Sequence, residues 1–170
     1  MDNMLKIKKV SKLFYLLFTG FLIILPMYYI LYWLYINSLL EILNLNHISF
    51  KLKVVGLISS LLPLSALIYG VNNIRKLFLL YKEGIIFSSE QVKLFKKIAR
   101  ALVLWILFSV IYDSIKSVIF TWNNPEGSRL LSISFNTNQI GILIISVIIF
   151  VIAWIMDEGR VVYEENKFTV

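Results

Sequence analysis

Four long apolar runs dominate the chain: Leu13–Ile36, Val54–Ile74, Ile98–Trp122 and Ile140–Met156. A helix needs about 20 apolar residues to cross the hydrocarbon core of a bilayer, and only helices or closed barrels satisfy their backbone polar groups in lipid. Continuous runs of this length, without the period of two that marks a barrel strand, predict transmembrane helices. The expected fold is all-α: a polytopic membrane protein whose single membrane domain, residues 1–170, is a four-transmembrane-helix bundle. Its spans lie at about 13–36, 54–74, 98–122 and 140–156, with a loop at 75–97 and a tail at 157–170.

Proline interrupts two of the runs, at Pro26 and Pro63. Each removes a backbone donor and favours a bend. Ser59, Ser60 and Ser65 surround Pro63 and are placed to bond the freed carbonyl or a neighbouring helix.

The polar segments between the runs carry their own patterns. Asn72–Arg100 reads as two helical extensions joined by a tight turn: Ile74, Leu77, Phe78 and Tyr81 keep helical spacing, and Gly84 suits the left-handed position after a helix end. Ser88 and Gln91 then form a capping box, with Phe87 placed to staple onto Val92. The restarted helix should run into the third span, carrying Lys93, Lys96, Lys97 and Arg100 on its surface. After the fourth span the helix should continue to about Glu165 and stop at Asn166. Its acidic residues (Asp157, Glu158, Glu164, Glu165) are expected to pair with the basic loop. Ser38-Leu39-Leu40-Glu41 resembles a capping box and predicts a short interfacial helix after the first span. Ile48, Phe50, Leu52 and Val54 alternate with polar residues, as do Leu131, Ile133 and Phe135; this predicts a small outer two-stranded β element.

Composition agrees with lipid as the solvent. The chain is 59% hydrophobic and 16% charged, against about 45–50% and about 25% in soluble domains. The net charge of +7 sits beside the apolar runs, so membrane orientation accounts for it without direct nucleic-acid binding. Lys51, Lys53, Lys116 and Arg129 apart, the other 13 of the 17 lysines and arginines fall in the N-terminal segment, the 75–100 region and the tail. The positive-inside rule therefore places both termini and the Gly84 turn on the cytoplasmic side of the membrane. Tyr28, Tyr29, Tyr32, Trp33, Tyr35 and Trp122 fit the outer interface, and Trp105 and Trp154 the inner one. The apolar run after Lys6–Lys12 is too long for a signal-peptide core of about 7–15 residues and reads as a retained anchor.

Chemistry is sparse. There is no cysteine and one histidine, His47, which leaves no thiol chemistry and no multi-histidine metal site. No phosphate loop, HExxH or nucleophile–histidine arrangement appears, so neither an enzyme nor a cofactor is expected. Asp113 and Lys116 interrupt the third span three residues apart, on one helical face. An ionisable pair in a span is a candidate functional site; the plain alternative is an interfacial pair with Lys116 snorkelling.

Two stretches carry a family resemblance. Gly84–Ile98, with Gly84, Phe87, Ser88, Val92 and Ile98, and the ending Asp157–Val170, with Glu158-Gly159, Glu164-Glu165 and Thr169-Val170, resemble domain-of-unknown-function family 2975, small bacterial four-span membrane proteins. Val162 and Phe168 stand where leucine is expected. The family has no established activity; its members resemble neighbours of a small helix-turn-helix regulator, which implies work with a cytoplasmic DNA-binding partner. Two functions follow as expectations. One is a non-enzymatic sensing or regulatory module that engages a cytoplasmic protein, or anionic lipid, through Gly84, Phe87, Ser88, Gln91, Lys93, Lys96, Lys97, Arg100, Glu164, Glu165 and Phe168. The other is a small transporter, channel or immunity-type protein that uses Asp113 and Lys116. Besides the bilayer itself, the expected partner is thus a cytoplasmic protein; the oligomeric state stays open.

Overall fold

Lipid offers the backbone no hydrogen-bond partner, and each apolar run closes its bonds within itself. The computed structural model describes residues 2–43, 47–86, 88–125 and 127–167, with side chains for all of these except residues 2 and 163–167. Four helices make up the fold: α1 (Asp2–Ile42), α2 (Phe50–Glu83), α3 (Ser89–Thr121) and α4 (Thr137–Lys167). With 31 to 41 residues each, they run about 46–62 Å at about 1.5 Å per residue, well beyond a hydrocarbon core of about 30 Å. All four are long and apolar enough to cross a membrane, the architecture of a multi-pass membrane protein.

The helices alternate in direction. Met4 and Lys8 of α1 lie against the Gly84 turn, and Lys96 of α3 meets Asp157 of α4, so these ends share one side, the basic end. At the opposite, tyrosine-rich end Asn123 donates to the carbonyl of His47. Neighbours in sequence are neighbours in space: α1 packs on α2, α2 on α3 and α3 on α4, while the α1 and α4 backbones do not approach one another. Side chains still meet across that gap, since Tyr29 of α1 and Gln139 of α4 line one cleft, and the whole is a four-helix bundle. Its outer helices expose apolar side chains such as Leu13, Ile23, Ile24, Ile144 and Ile155, as lipid-facing surfaces should.

Packing relies on small residues, because lipid removes the hydrophobic drive for helices to associate. Gly56 of α2 gives way to the ring of Trp33, which is 2% exposed; a Cβ on Gly56 would fall 2.2 Å from that ring. Trp33 thereby reaches past α2 and donates from Nε1 to the Tyr112 hydroxyl of α3 at 3.1 Å. Ile36, Leu40, Ile48 and Ile119 complete this core, and a second forms at the basic end around Leu77, Leu94 and Ile98. Between α3 and α4, Ala99 and Ala153 are fully buried and Ser146 donates to the Ala99 carbonyl at 2.9 Å. Phe14 and Phe18 of α1 stack on Phe78 of α2.

Several local expectations need correction. No strand occurs among the described residues. Residues 50–53 form the first turn of α2, and the 130–136 segment is extended but pairs with hydroxyls rather than with another strand. Thr121 and Ser117, one turn apart on α3, accept from the backbone N–H of Leu130 and Ser132 at 3.1 and 3.0 Å. Ile48, the other intended strand residue, is buried, and its N–H and C=O are both bonded by the Asn37 amide at 2.9 and 3.1 Å. Side chains thus satisfy the backbone groups that a ribbon would have paired. Ser38–Glu41 caps no separate helix, because α1 continues through it to Ile42. Ser59, Ser60 and Ser65 donate to Gly56, Leu57 and Leu62, within their own turns, and not to the Ser59 carbonyl that Pro63 leaves without its donor. The last helix passes through Asn166 to Lys167.

Candidate functional site

Two clusters of polar residues stand at opposite ends. At the basic end the chain turns between α2 and α3. Gly84 adopts φ 87°, a conformation that costs little without a Cβ, and its N–H bonds the Tyr81 carbonyl at 3.1 Å. The Ile85 N–H bonds the Leu80 carbonyl at 3.0 Å, completing a Schellman cap. Ser88 then accepts from the Gln91 N–H at 3.3 Å while Gln91 Oε1 accepts from the Ser88 N–H at 3.2 Å. Gln91 Nε2 also donates to the Ile85 carbonyl, and the whole side chain is buried. One glutamine thus ties both sides of the turn together.

The charges beyond the turn divide by face. Val92, Leu94, Ile98 and Ala99 are buried, while Lys93, Lys97 and Arg100, spaced four and three apart, are exposed. Lys96 sits between these faces and pairs with Asp157 at 3.2 Å; Arg160 reaches the same carboxylate at 3.3 Å. The expected contact between basic loop and acidic tail therefore forms at Asp157. The hydrogen bond from Lys96, then that from Arg160, holds the Asp157 carboxyl below its usual range. Glu164 and Glu165 lie in the last turns of α4, but their side chains, together with Phe87 and Phe168, fall outside the described residues. The basic end is thus a closed turn with an exposed cationic stripe beside it.

At the tyrosine-rich end, Asp113 and Lys116 pair at 3.3 Å, each side chain about one-third exposed at 34%. The Lys116 ammonium lies 5.3 Å from the centre of the Tyr112 ring. The pair separates two clefts of about 210 Å³ each. Lys116 lines one with Tyr28 and Tyr32 of α1; Asp113 lines the other with Trp105, Ser109 and the residues that open α4, Asn136, Asn138 and Gln139. Tyr29 and Tyr112 form the wall common to both.

This arrangement arises because α4 starts beside Ser109–Asp113 rather than beside the end of α3. The last two turns of α3 rise past it, and the extended segment runs back along them. The charged pair therefore lies level with the polar beginning of the α4 apolar run. A separate, largely apolar cleft of about 610 Å³ lies between α2, the end of α3 and Leu131 and Ile133 of that segment.

The sequence marks Asp113 and Lys116 but not their surroundings. Tyr112 is four residues from Lys116, a spacing that identifies the cation–ring contact in hindsight. Trp105, expected at the basic interface, lines the Asp113 cleft instead; its Nε1 is buried without a hydrogen-bond partner among the described residues. Nothing in the spacing brings Asn138 or Gln139 to Asp113, because that contact depends on where α4 begins.

Four long apolar helices, polar clusters at both ends and lipid-facing outer surfaces define a four-span membrane protein. The sequence model of the family described as Protein of unknown function (DUF2975) matches residues 7–170, nearly the whole chain, and the chain belongs to that family. No curated protein and no solved structure matches it.

Proposed function

We propose that the chain is a non-enzymatic sensing or regulatory module of the bacterial inner membrane, with both termini and the Gly84 turn in the cytoplasm, that engages a cytoplasmic protein there. The observation that carries this reading is the contrast within the basic end. Gln91 and two caps fix the turn through its Gly84, Ile85 and Ser88 backbone groups, while Lys93, Lys97 and Arg100 remain exposed along one stripe. A fixed backbone under a row of unspent cations suits an acidic protein surface, because little ordering entropy is lost on docking. The partner favoured by the family resemblance is a small helix-turn-helix regulator held by its protein surface.

The test is photo-crosslinking in the native membrane from a residue placed at Lys97. The reading expects one discrete adduct with a small cytoplasmic protein of helix-turn-helix sequence, lost when Lys93 and Arg100 become glutamate. Adducts with lipid alone would contradict it. A second reading, a small transporter, channel or immunity-type protein, draws on the Asp113–Lys116 pair between its two clefts. It expects Asp113→Asn to change ion or toxin sensitivity of the cell, and an unchanged phenotype removes its residue-level support.

A further inference from the structure

The two clefts at the tyrosine-rich end differ in sign. One presents the Lys116 ammonium among the tyrosines of α1; the other presents the Asp113 carboxylate beside the amides that open α4. A single salt bridge of 3.3 Å separates them. An anion bound at Lys116 alone would leave Asp113 uncompensated in a region of low dielectric, and a cation at Asp113 alone would strand Lys116. Breaking one side of such a pair is costly. A ligand with both charges replaces both partners at once and leaves the site neutral.

From this geometry we infer that the paired clefts bind a zwitterion that joins a primary ammonium to a phosphate, the chemistry of a phosphoethanolamine group. The phosphate takes Lys116, with the Tyr28 and Tyr32 hydroxyls in the same cleft as further donors. The ammonium takes Asp113, with the Asn138 amide oxygen as an additional acceptor and the Tyr29 and Tyr112 rings as walls. Lys116 already shows that this setting accepts an ammonium, being held by Asp113 and lying 5.3 Å from the Tyr112 ring centre. Trp105 lines the Asp113 cleft, so its fluorescence reports occupancy there.

Depth agrees with a headgroup. Lys116 and Asp113 lie five and eight residues before the end of α3 at Thr121, about 8 and about 12 Å at about 1.5 Å per residue. The group could reach the site on a lipid or as a free solute, and the test separates the two. It does not depend on the partner proposed for the basic end.

The protein is placed in nanodiscs of phosphatidylglycerol, and tryptophan fluorescence is followed as phosphatidylethanolamine is increased. In a parallel series, soluble O-phosphoethanolamine is added to the phosphatidylglycerol discs. A saturable change in either series, absent in Trp105→Phe, supports the site; a response to the lipid only assigns a membrane headgroup, and one to the solute assigns a free ligand. Asp113→Asn and Lys116→Gln should each weaken the response by about 10-fold or more, the scale of one charged hydrogen bond, while Lys116→Arg retains it. Native mass spectrometry of the unaltered protein checks the same point without a variant: phosphatidylethanolamine should be retained through delipidation in preference to phosphatidylcholine, which lacks ammonium protons. No saturable response in either series overturns the proposal, as does equal retention of the two lipids where the response is to the lipid.

Discussion

The two ends of this protein solve the same problem in opposite ways. In the turn at the basic end, polar groups are satisfied by residues a few positions away: Gly84 bonds Tyr81, Ser88 and Gln91 bond each other, and Gln91 returns to Ile85. At the tyrosine-rich end the bonds are long in sequence. Trp33 reaches Tyr112, Asn37 holds Ile48, and Asn123 meets His47. The turn closes on itself, while the second end holds an ion pair between two clefts and a buried indole N–H with no partner among the described residues. Local closure fixes the turn by itself; long-range bonds make the other end depend on how the helices pack.

Substitutions can break this contrast. The largest effect is expected at Gly56, where a Cβ would lie 2.2 Å from the Trp33 ring. Gly56→Val should cost about 3 kcal/mol through overpacking, read as a lower unfolding midpoint in detergent, and should separate α1 from α3. A wild-type midpoint would show that Trp33 is free to move aside. Gln91→Leu tests the other end. It leaves the Ser88 N–H and the Ile85 carbonyl without their partner, and about 2 kcal/mol of stability should go, with faster amide exchange confined to the turn. Exchange that quickens equally at Tyr112 would mean that the two ends are not independent.

Trp33→Phe sharpens the comparison. It keeps most of the ring and removes the 3.1 Å bond to Tyr112, for an expected loss of about 1 kcal/mol. The smallest effect concerns Asp157. Its carboxyl is held below the ordinary aspartate range by Lys96 and then Arg160, so the folded state binds its proton less readily than the unfolded chain. The contact's contribution is therefore present above the ordinary aspartate range and lost as pH falls through the lowered value. A carboxyl titration by NMR should show Asp157 moving back to the ordinary range in Lys96→Gln, and no movement would deny the contact.

The same contrast explains what the sequence makes legible. The four spans, the Gly84 cap and the Ser88–Gln91 box are short-range patterns, and all are present. The expected outer ribbon is absent among the described residues, although Ile48 and the 130–136 segment lie where it placed them, in the loops at that end. Period two marks the 130–136 segment, but it says nothing about what that chain bonds to; Ser117 and Thr121 are the partners, and no strand forms there. Asp113 and Lys116 stood out because charge in an apolar run is costly. Their tyrosine and amide surroundings did not, since the starting level of α4 against α3 is a property of packing. Trp105 shows the limit most clearly: aromatic position along a span indicated an interface, and the fold placed it beside Asp113.

The central claim is that the basic turn and the tyrosine-rich clefts lie on opposite sides of a membrane. The chain has no cysteine, so single thiols can be introduced without background. Ser89→Cys, at the turn, and Ser128→Cys, in the segment beyond α3, should be exposed to an impermeant thiol reagent on intact cells, before and after permeabilisation. Labelling of Ser128→Cys in intact cells and of Ser89→Cys only after permeabilisation is the predicted result. Labelling of Ser89→Cys in intact cells, or of both positions without permeabilisation, would contradict it.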